Sequence, residues 1–313
     1  SSSIPREGGC VSDLLLHPRV AFAGHFTKLG DPSESGVTLT PRDDLALVTV
    51  IARKGQKAQL AAKVDALFGI ALPAGPKRVT AGMNQWLVTS SKQEAQCAQQ
   101  QIDAWAQAGT LLDYTPKESS QAWYQVEWTL SAIATSESVL INELSLDPAM
   151  VKRDIQWMNR VAHRTMDFDK AGKQTNNHHY WRGLAAVSTG VISSDDSLFD
   201  WGVGVYKQAI NELDQRGAFP QEMRRHERAI HYQSFALQPL TPLASFAERQ
   251  HVPLYEYRSP TGRTIHDAVD FLGNALTDPA IIKAYTPDTQ LLDDGPDFFA
   301  FAEFYSHDAH PAH

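Results

Sequence analysis

Two short stretches of the sequence gather side chains that could bind an anion and move protons. The first is NNHHYWRG, Asn176–Gly183, which places two amides, two imidazoles, a phenol and a guanidinium within eight residues. The second is EMRRHERAIHY, Glu222–Tyr232, which adds three guanidiniums and a second phenol. Arg and Asn can neutralise a carboxylate, and His and Tyr can give and take protons. Because polar groups packed this densely are costly to bury, the two stretches together predict a ligand site.

The second stretch has the spacing of one helix face. Arg225, Arg228, Ala229 and Tyr232 recur at i, i+3, i+4 and i+7, where a core helix would show Leu or Val. Taken alone, such a face is typical of a solvated surface. The presence of the first stretch favours a shared site instead.

Other chemistries fit these stretches less well. The two motifs hold no pair of carboxylates placed as the acid and base of a glycosidase, and the sequence has no G-x-S-x-G motif. His178 and His179 are neighbours, so on a helix they point about 100° apart, and no carboxylate joins them at i+4. We therefore expect no metal site here.

The composition predicts a soluble globular protein with an acidic surface. The chain has 313 residues, of which 42% are hydrophobic and 20% charged, and its formal net charge is -8. A polyanion would need a local basic cleft, and without any Lys/Arg run we expect no nucleic-acid partner. No apolar run is long enough to span a membrane, so no membrane partner is expected. Cys10 and Cys97 are the only cysteines and form no C-x-x-C motif.

The elements that must position these residues divide the chain near residue 93. Before it, the pattern predicts a strand at Leu45–Ala52, a helix at Gly55–Ile70 and one or two strands within Lys77–Ser91. This makes residues 1–93 a small α+β segment.

After that point the pattern is helical, and the short connections imply antiparallel neighbours in a bundle or an α/α toroid. The predicted helices are Glu94–Leu112, Ser119–Ile141, Asp147–Met166, the segment that carries His178, Asp195–Leu213, Pro220–Leu237, Leu240–Gln250 and Thr264–Leu276.

Five motifs in order resemble the polysaccharide lyase family 5 alginate lyases, over about Glu94 to Lys283. They are SSQAWYQVEW (119–128), NNHHYWRG (176–183), GVISSDDSLFDWGVGVY (190–206), EMRRHERAIHYQSFALQPL (222–240) and VPLYEYRSPTGRTIH (252–266). The resemblance implies an α/α toroid that cleaves poly-mannuronate by β-elimination, leaving an unsaturated uronate, without metal or organic cofactor. Because the first helices and the lid loop of the family find no counterpart, the expected toroid, residues 94–313, is incomplete.

The resemblance also carries residue roles onto this chain. The implied catalytic residues are Asn177, His178, Arg225 and Tyr232. The expected substrate contacts are Gln125, Tyr180, Arg228 and His226. His179 departs from the family pattern, which usually has Ser there.

These residue types suit an elimination next to a carboxylate. Asn177 and Arg225 would bind the uronate carboxylate and stabilise the enolate-like transition state. His178 or Tyr232 would remove the C5 proton, and Tyr232 would protonate the leaving oxygen. For Tyr232 to act as a base it needs cationic neighbours, which Arg225, Arg228 and a charged His178 could supply.

Two alternatives stay open, a lyase for another polyuronate such as polyglucuronate and a non-catalytic polyuronate-binding protein. Residues 40–91 loosely resemble the γ-subunit of heterotetrameric sarcosine oxidase. Cys97 matches a disulfide position of the lyase family, for which Cys10 is the possible partner. The opening SSSIPREGGC suits either a mature, processed form or a cytoplasmic protein, and the resemblance favours a periplasmic or secreted monomer that acts on alginate, an anionic polysaccharide.

Overall fold

The structure is a computed structural model in which the described residues are helical or in turns and loops, with no strand among them. It describes Val79, Met83, Trp86 and residues 89–112, 120–141, 143–172, 175–292 and 298–308. The α-helices with defined ends are α1 (Lys92–Ala108), α2 (Ser120–Leu140), α3 (Pro148–Gly172), α4 (Asn177–Ser193), α5 (Asp196–Asn211), α6 (Pro220–Met223), α7 (Ala229–Arg249), α8 (Ile265–Thr277) and α9 (Phe301–Asp308). Short 3-10 turns occupy His226–Arg228 and Ile282–Ala284. The predicted mainly helical architecture is confirmed.

Local sequence signals fix several helix ends. α1 starts where the Ser91 hydroxyl accepts a hydrogen bond from the Glu94 backbone N–H, and it ends at Gly109, whose φ of 64° lies in the left-handed region that favours glycine. α8 begins with a capping box, in which Thr264 and Asp267 each satisfy a backbone N–H of the other.

Helix α4 lies at the centre of the molecule and positions the site. It packs against α2, α3, α5 and α7, and every residue from Asn177 to Ile192 is buried. A Cβ at Gly202 of α5 would lie 2.5 Å from Val187 Cγ2 and 2.7 Å from the Gly183 carbonyl oxygen. Only a glycine there lets α4 and α5 approach this closely, so the start of α4 is held by packing on several sides.

The helix predicted at Pro220–Leu237 is broken. α6 ends after four residues, a 3-10 turn follows, and α7 begins at Ala229. His226 in the turn has a φ of 52°, a left-handed conformation in which the helix cannot continue. The predicted helix face of Arg225 to Tyr232 therefore belongs to two elements joined by a turn.

The predicted stop before Leu240 is also wrong. α7 runs continuously to Arg249 with Pro239 and Pro242 inside it. Both prolines are buried against the core. Tertiary packing thus holds a helix that local propensity alone would interrupt.

Between Lys77 and Ser91 the prediction of strands is wrong wherever the structure describes the chain. The helical positions are Val79, Met83, Trp86 and Thr89. Val79, Met83 and Trp86 are apolar and follow one another at i, i+4 and i+7, a helical period that the β-branched residues of this stretch concealed. The strand at Leu45–Ala52, the helix at Gly55–Ile70 and the rest of the sarcosine oxidase-like stretch lie outside the described residues.

A network of polar groups, all buried except Arg153, joins α1, α2 and α3. The Gln99 amide donates to Asp154, and Arg153 Nε donates to Asp103 Oδ1 at 2.6 Å. Burial raises the pKa of Asp154 to about 9, with the charge of Glu137 adding to the rise. Burial likewise raises the pKa of Glu137 to about 8. Both acids are therefore protonated in the folded protein at neutral pH.

Cys97 on α1 takes part in a disulfide bond, and Cys10, the other cysteine of the sequence, lies outside the described residues. In the described part of the chain, no helix has the length and apolar character needed to cross a bilayer. The division of the chain near residue 93 stays a prediction.

Candidate active site

The first turn of α4 carries two of the predicted catalytic residues. Asn177 and His178 are the first two residues of the helix, and the Asn176 side chain accepts a hydrogen bond from the His178 backbone N–H at 3.1 Å. Asn is a preferred helix cap because its side-chain oxygen satisfies an N–H that the helix leaves unpaired. The local sequence therefore fixes where both side chains leave the backbone.

His178 is held by α2. Its Nδ1 lies 2.6 Å from Glu127 Oε1, and its ring stacks on Tyr124 with the ring centroids 3.4 Å apart. Burial, with the charges of Arg182 and Arg225 adding to it, lowers the pKa of His178 to about 3. The lowered pKa favours the neutral form of His178 at neutral pH, and so the role of base over that of a cationic neighbour of Tyr232.

Glu127 determines which nitrogen of His178 is free. Its carboxyl is fully buried, and Oε2 lies 2.8 Å from Arg182 Nε. Burial raises the pKa of Glu127, and the Arg182 charge opposes the rise. With that cation in contact we assign Glu127 as a carboxylate, which accepts the Nδ1 proton of His178. This tautomer leaves the lone pair of His178 Nε2 available.

The buried ion contacts continue from Glu127 to His179. Arg182 Nη1 donates to Asp169 Oδ1 at 2.9 Å, and the other oxygen of Asp169 lies 2.8 Å from His179 Nδ1. All four side chains are buried, so the chain of contacts forms a rigid backing for His178. His179, the departure from the family pattern, thus has a partner that accounts for its polarity.

A second buried acid, Glu222, holds Asn177 and Arg225, the two residues that were expected to bind the substrate carboxylate. Its Oε1 accepts hydrogen bonds from the Asn177 backbone N–H at 2.7 Å and from Asn177 Nδ2 at 3.1 Å, and its Oε2 lies 3.6 Å from Arg225 Nε. Burial raises the pKa of Glu222, and the bonds from Asn177 and the Arg225 charge oppose the rise. Asn177 has no exposed surface, and its amide oxygen has no hydrogen-bond partner among the described residues.

Arg225 links the two halves of the site. Its guanidinium carbon lies 4.5 Å from the centre of the Tyr232 ring, a cation–π contact, and its charge also contributes to the lowered pKa of His178. Its side chain is 35% exposed, which leaves part of the guanidinium open to a ligand. The two predicted stretches therefore meet at Arg225.

Two of the four predicted substrate contacts have accessible side chains. Gln125 is half-buried on α2 beside Tyr124, and Arg228 is exposed at the start of α7. Their contacts with a substrate stay a prediction.

The other two predicted substrate contacts, Tyr180 and His226, do not face the proposed site. Tyr180 is 1% exposed, and its hydroxyl donates to the Thr175 carbonyl at 3.2 Å, so it has no surface to offer a sugar. His226 is exposed, but its Nδ1 lies 3.1 Å from Asp288 Oδ2, and its side chain lines a separate cavity of about 390 Å³ together with Tyr285. Neither residue supports the role expected for it.

Sequence reasoning missed the carboxylates that organise the site. Glu127 lies within SSQAWYQVEW, and Glu222 opens EMRRHERAIHY, so both acids belong to motifs that had been singled out. Their partners are 51 and 45 residues away, and charged residues are almost never fully buried unless paired. The one signal was their place inside motifs dense with polar residues.

The Arg225 cation contacts the Tyr232 phenol ring, and its charge reaches the His178 imidazole. Such a set can bind an anionic group and pass a proton between neighbouring atoms. Within the described residues, no group of three or more His, Cys, Asp and Glu side chains is arranged to hold a metal ion.

Comparisons with known proteins point to one family. The alginate lyase family model matches residues 53–282, and so begins 41 residues before the resemblance read from the motifs. A polysaccharide lyase of Stenotrophomonas maltophilia is 29% identical over 203 residues, which cover 63% of this chain and 59% of that protein. An alginate lyase of Pseudomonas putida is 32% identical over 57% of this chain and 50% of its own length. The chain thus spans between half and three fifths of these two relatives.

Solved structures agree with the sequence comparisons. Alginate lyase A1-III from Sphingomonas species A1 superposes with a TM-score of 0.68 at 32% identity, over 97% of this chain and 82% of that one. A His-to-Ala variant of alginate lyase A1-III, complexed with a tetrasaccharide, gives a TM-score of 0.69 at 31% identity, over 96% of this chain and 78% of that one. The likeness confirms the predicted α/α toroid.

Proposed function

This chain belongs to the alginate lyase family, and from that membership we propose that it cleaves alginate, a poly-β-D-mannuronate, by β-elimination. The observation that carries the proposal is the place of the Arg225 cation, which lies 4.5 Å from the Tyr232 ring and near enough to His178 for its charge to lower the pKa of that imidazole. This is the set of groups that an elimination beside a carboxylate requires.

Binding of the uronate carboxylate comes first. Arg225, partly exposed and already oriented by Glu222, pairs with the carboxylate, while the buried Asn177 acts indirectly by holding Glu222 in place. Neutralising this carboxylate is necessary because removal of the C5 proton places a second negative charge beside it. Arg225 stabilises that charge in the enolate-like transition state.

Proton transfer then runs through Tyr232. His178 Nε2 accepts the phenol proton, since Glu127 holds the opposite nitrogen, and the Arg225 charge stabilises the phenolate. A bound carboxylate beside Arg225 raises the pKa of His178 from its low value, which favours this transfer.

The remaining steps form the double bond. The phenolate removes the C5 proton, and the electron pair left on the sugar forms the C4–C5 double bond as the C4–O4 bond breaks. Tyr232 gives the proton that it took from C5 to the leaving O4 and recovers its own proton from His178. The products are a new reducing end and an unsaturated uronate at the new non-reducing end.

The assay for this proposal is the ultraviolet absorbance of the unsaturated uronate, with alginate, polymannuronate, polyguluronate and polyglucuronate as substrates. We expect the largest rise with polymannuronate. Tyr232→Phe and His178→Ala should each lower kcat by about 10²–10⁴-fold, because each removes a group that moves the proton. No rise on any polymer contradicts the lyase function, and full activity in either variant contradicts the assignment of the site.

We also propose that the protein works in an oxidising compartment, the periplasm or the exterior of the cell. The support is the disulfide bond of Cys97, because disulfides persist in such compartments and are rare in the cytosol. The monomeric state stays a prediction, which sedimentation analysis of the purified protein checks.

A further inference from the structure

The turn between α6 and α7 separates two of the proposed catalytic residues and lacks a cap of its own. Arg225 immediately precedes the 3-10 turn His226–Arg228, and Tyr232 lies in the first turn of α7. No side chain at the start of α7 caps the helix, although its first N–H groups need acceptors. Whatever satisfies these groups therefore also sets the geometry between Arg225 and Tyr232.

One distant side chain supplies the missing partners. Gln290 Oε1 accepts a hydrogen bond from the Ile230 backbone N–H at 3.0 Å, and Gln290 Nε2 donates to the His226 carbonyl oxygen at 2.9 Å. The same amide thus caps α7 and ties the helix to the turn before it. Both groups belong to the backbone, so the arrangement constrains the path of the chain.

The residues next to Gln290 strengthen the attachment. The Leu291 backbone N–H donates to the Glu227 carbonyl at 2.7 Å, and Asp288 contacts His226 Nδ1 at 3.1 Å. Three residues of one segment, Asp288, Gln290 and Leu291, thereby fix the chain between Arg225 and Tyr232. The His226–Asp288 pair is the most exposed of these contacts and so the weakest.

We propose that Gln290 is a positioning residue of the active site, which holds Arg225 and Tyr232 in register by capping α7 from outside. Arg225 lies one residue before His226, and Tyr232 lies two residues after Ile230, so both bonds of Gln290 act between the two catalytic groups. Loss of these bonds lets the turn rotate and disturbs the 4.5 Å contact of Arg225 with the Tyr232 ring. An error of about 1 Å in such a contact can cost about 10²-fold in rate.

The kinetic test compares Gln290→Met with Thr289→Ala. Met keeps the length and volume of Gln but makes neither hydrogen bond, and the exposed Thr289 lies on the same segment outside the site. We expect Gln290→Met to lower kcat on polymannuronate by about 10–100-fold with KM nearly unchanged, because Gln290 acts on geometry and does not touch the polymer. Thr289→Ala should match the wild type.

A conservative variant separates the two bonds. Gln290→Glu keeps an acceptor for the Ile230 N–H, favoured further by the positive end of α7, but loses the donor for the His226 carbonyl. We expect its kcat to lie between those of the wild type and Gln290→Met. A kcat for Gln290→Glu as low as that of Gln290→Met would contradict the capping role.

The kinetic readout rests on the proposed lyase function, so a second measurement stands apart from it. Amide hydrogen exchange should be faster at Ile230 in Gln290→Met than in the wild type, at a temperature well below Tm. If the wild type cleaves no polymer, the proposed lyase function is wrong, but the exchange rate at Ile230 still tests whether Gln290 holds the start of α7. Unchanged exchange at Ile230, or a lower Tm with kcat within about twofold of wild type, overturns the proposal.

Discussion

At the scale of single residues, buried carboxylates arrange the proposed catalytic groups. Glu127 selects the tautomer of His178, and Glu222 orients Asn177 and Arg225. A carboxylate is suited to this work because it accepts hydrogen bonds on both oxygens and can hold two partners at once. The reactive groups are therefore fixed before a substrate arrives, which is the arrangement that electrostatic stabilisation requires.

Glu222→Gln tests this arrangement. The amide has the shape of the carboxylate, but it removes the charge near Arg225 and places a donor where an oxygen now accepts from Asn177. We expect kcat/KM on polymannuronate to fall by about 10²-fold, since Arg225, the proposed ligand of the substrate carboxylate, and Asn177 at the start of α4 both lose their orientation. The exposed Glu227→Gln, in the following turn, is the matched control and should change kcat/KM little. Glu222→Gln with wild-type kcat/KM would show that Glu222 contributes packing alone.

At the scale of helices, α1, α2 and α3 are joined by acids that the fold keeps protonated. Because Asp154 has a raised pKa of about 9 in the folded protein, it holds a proton that the unfolded chain releases above about pH 4. Its contribution to stability is therefore full below the unfolded pKa and is lost as the pH rises toward the folded pKa. His178 acts in the opposite direction, since its lowered pKa reduces stability as the pH falls from about 6.5 toward 3.

Asp154→Asn separates this effect from packing. Asn can accept the hydrogen bond from Gln99 and cannot ionise, so it avoids the cost of keeping a proton at high pH. We expect the Tm of the variant to equal that of the wild type near pH 4 and to exceed it increasingly up to about pH 8, by about 2–4 °C for each kcal/mol. Thermal unfolding followed by circular dichroism measures this. Asp167→Asn, an exposed acid of the same helix, is the control, and a Tm difference that does not vary with pH would contradict a protonated Asp154.

At the scale of the whole molecule, the net charge bears on how the protein would bind the proposed polymer. The net charge of -8 repels a polyanion at long range, so attraction has to come from the local group of Arg225 and Arg228. Salt at physiological ionic strength screens the distant charges more than the close contacts of the site. Binding is therefore governed by the site and its immediate surroundings.

The disulfide of Cys97 offers a test at this scale. We expect reduction to lower the free energy of unfolding by about 2–4 kcal/mol, with a corresponding fall in Tm, because a cross-link restricts the unfolded chain. Thermal melts with and without reductant measure the change. Cys97→Ser should melt at the lower temperature with and without reductant. A wild-type Tm that does not change when reductant is added would show that the disulfide does not stabilise the fold.

The sequence predicted the helical class and most helix bounds because the apolar period and the caps are local. The start of α8 is an example, since the predicted helix begins at Thr264, and Thr264 is the residue that caps it. The break before α7 was not predictable in this way. The residues Arg-His-Glu-Arg suit a helix, and the turn depends on Gln290, about 60 residues away. Tyr180 was misjudged for a related reason, since nothing local shows that its ring is buried.

Helix α4, buried from Asn177 to Ile192, also bears on how such an enzyme can diversify. A substitution almost anywhere along it disturbs packing against four neighbouring helices and so destabilises the fold. Such substitutions are therefore selected against, even where they would favour a new substrate. New polymer preferences would then be acquired on half-exposed side chains of other helices, such as Gln125 and Trp128 on α2. The central helix would stay nearly constant while its surroundings diverge.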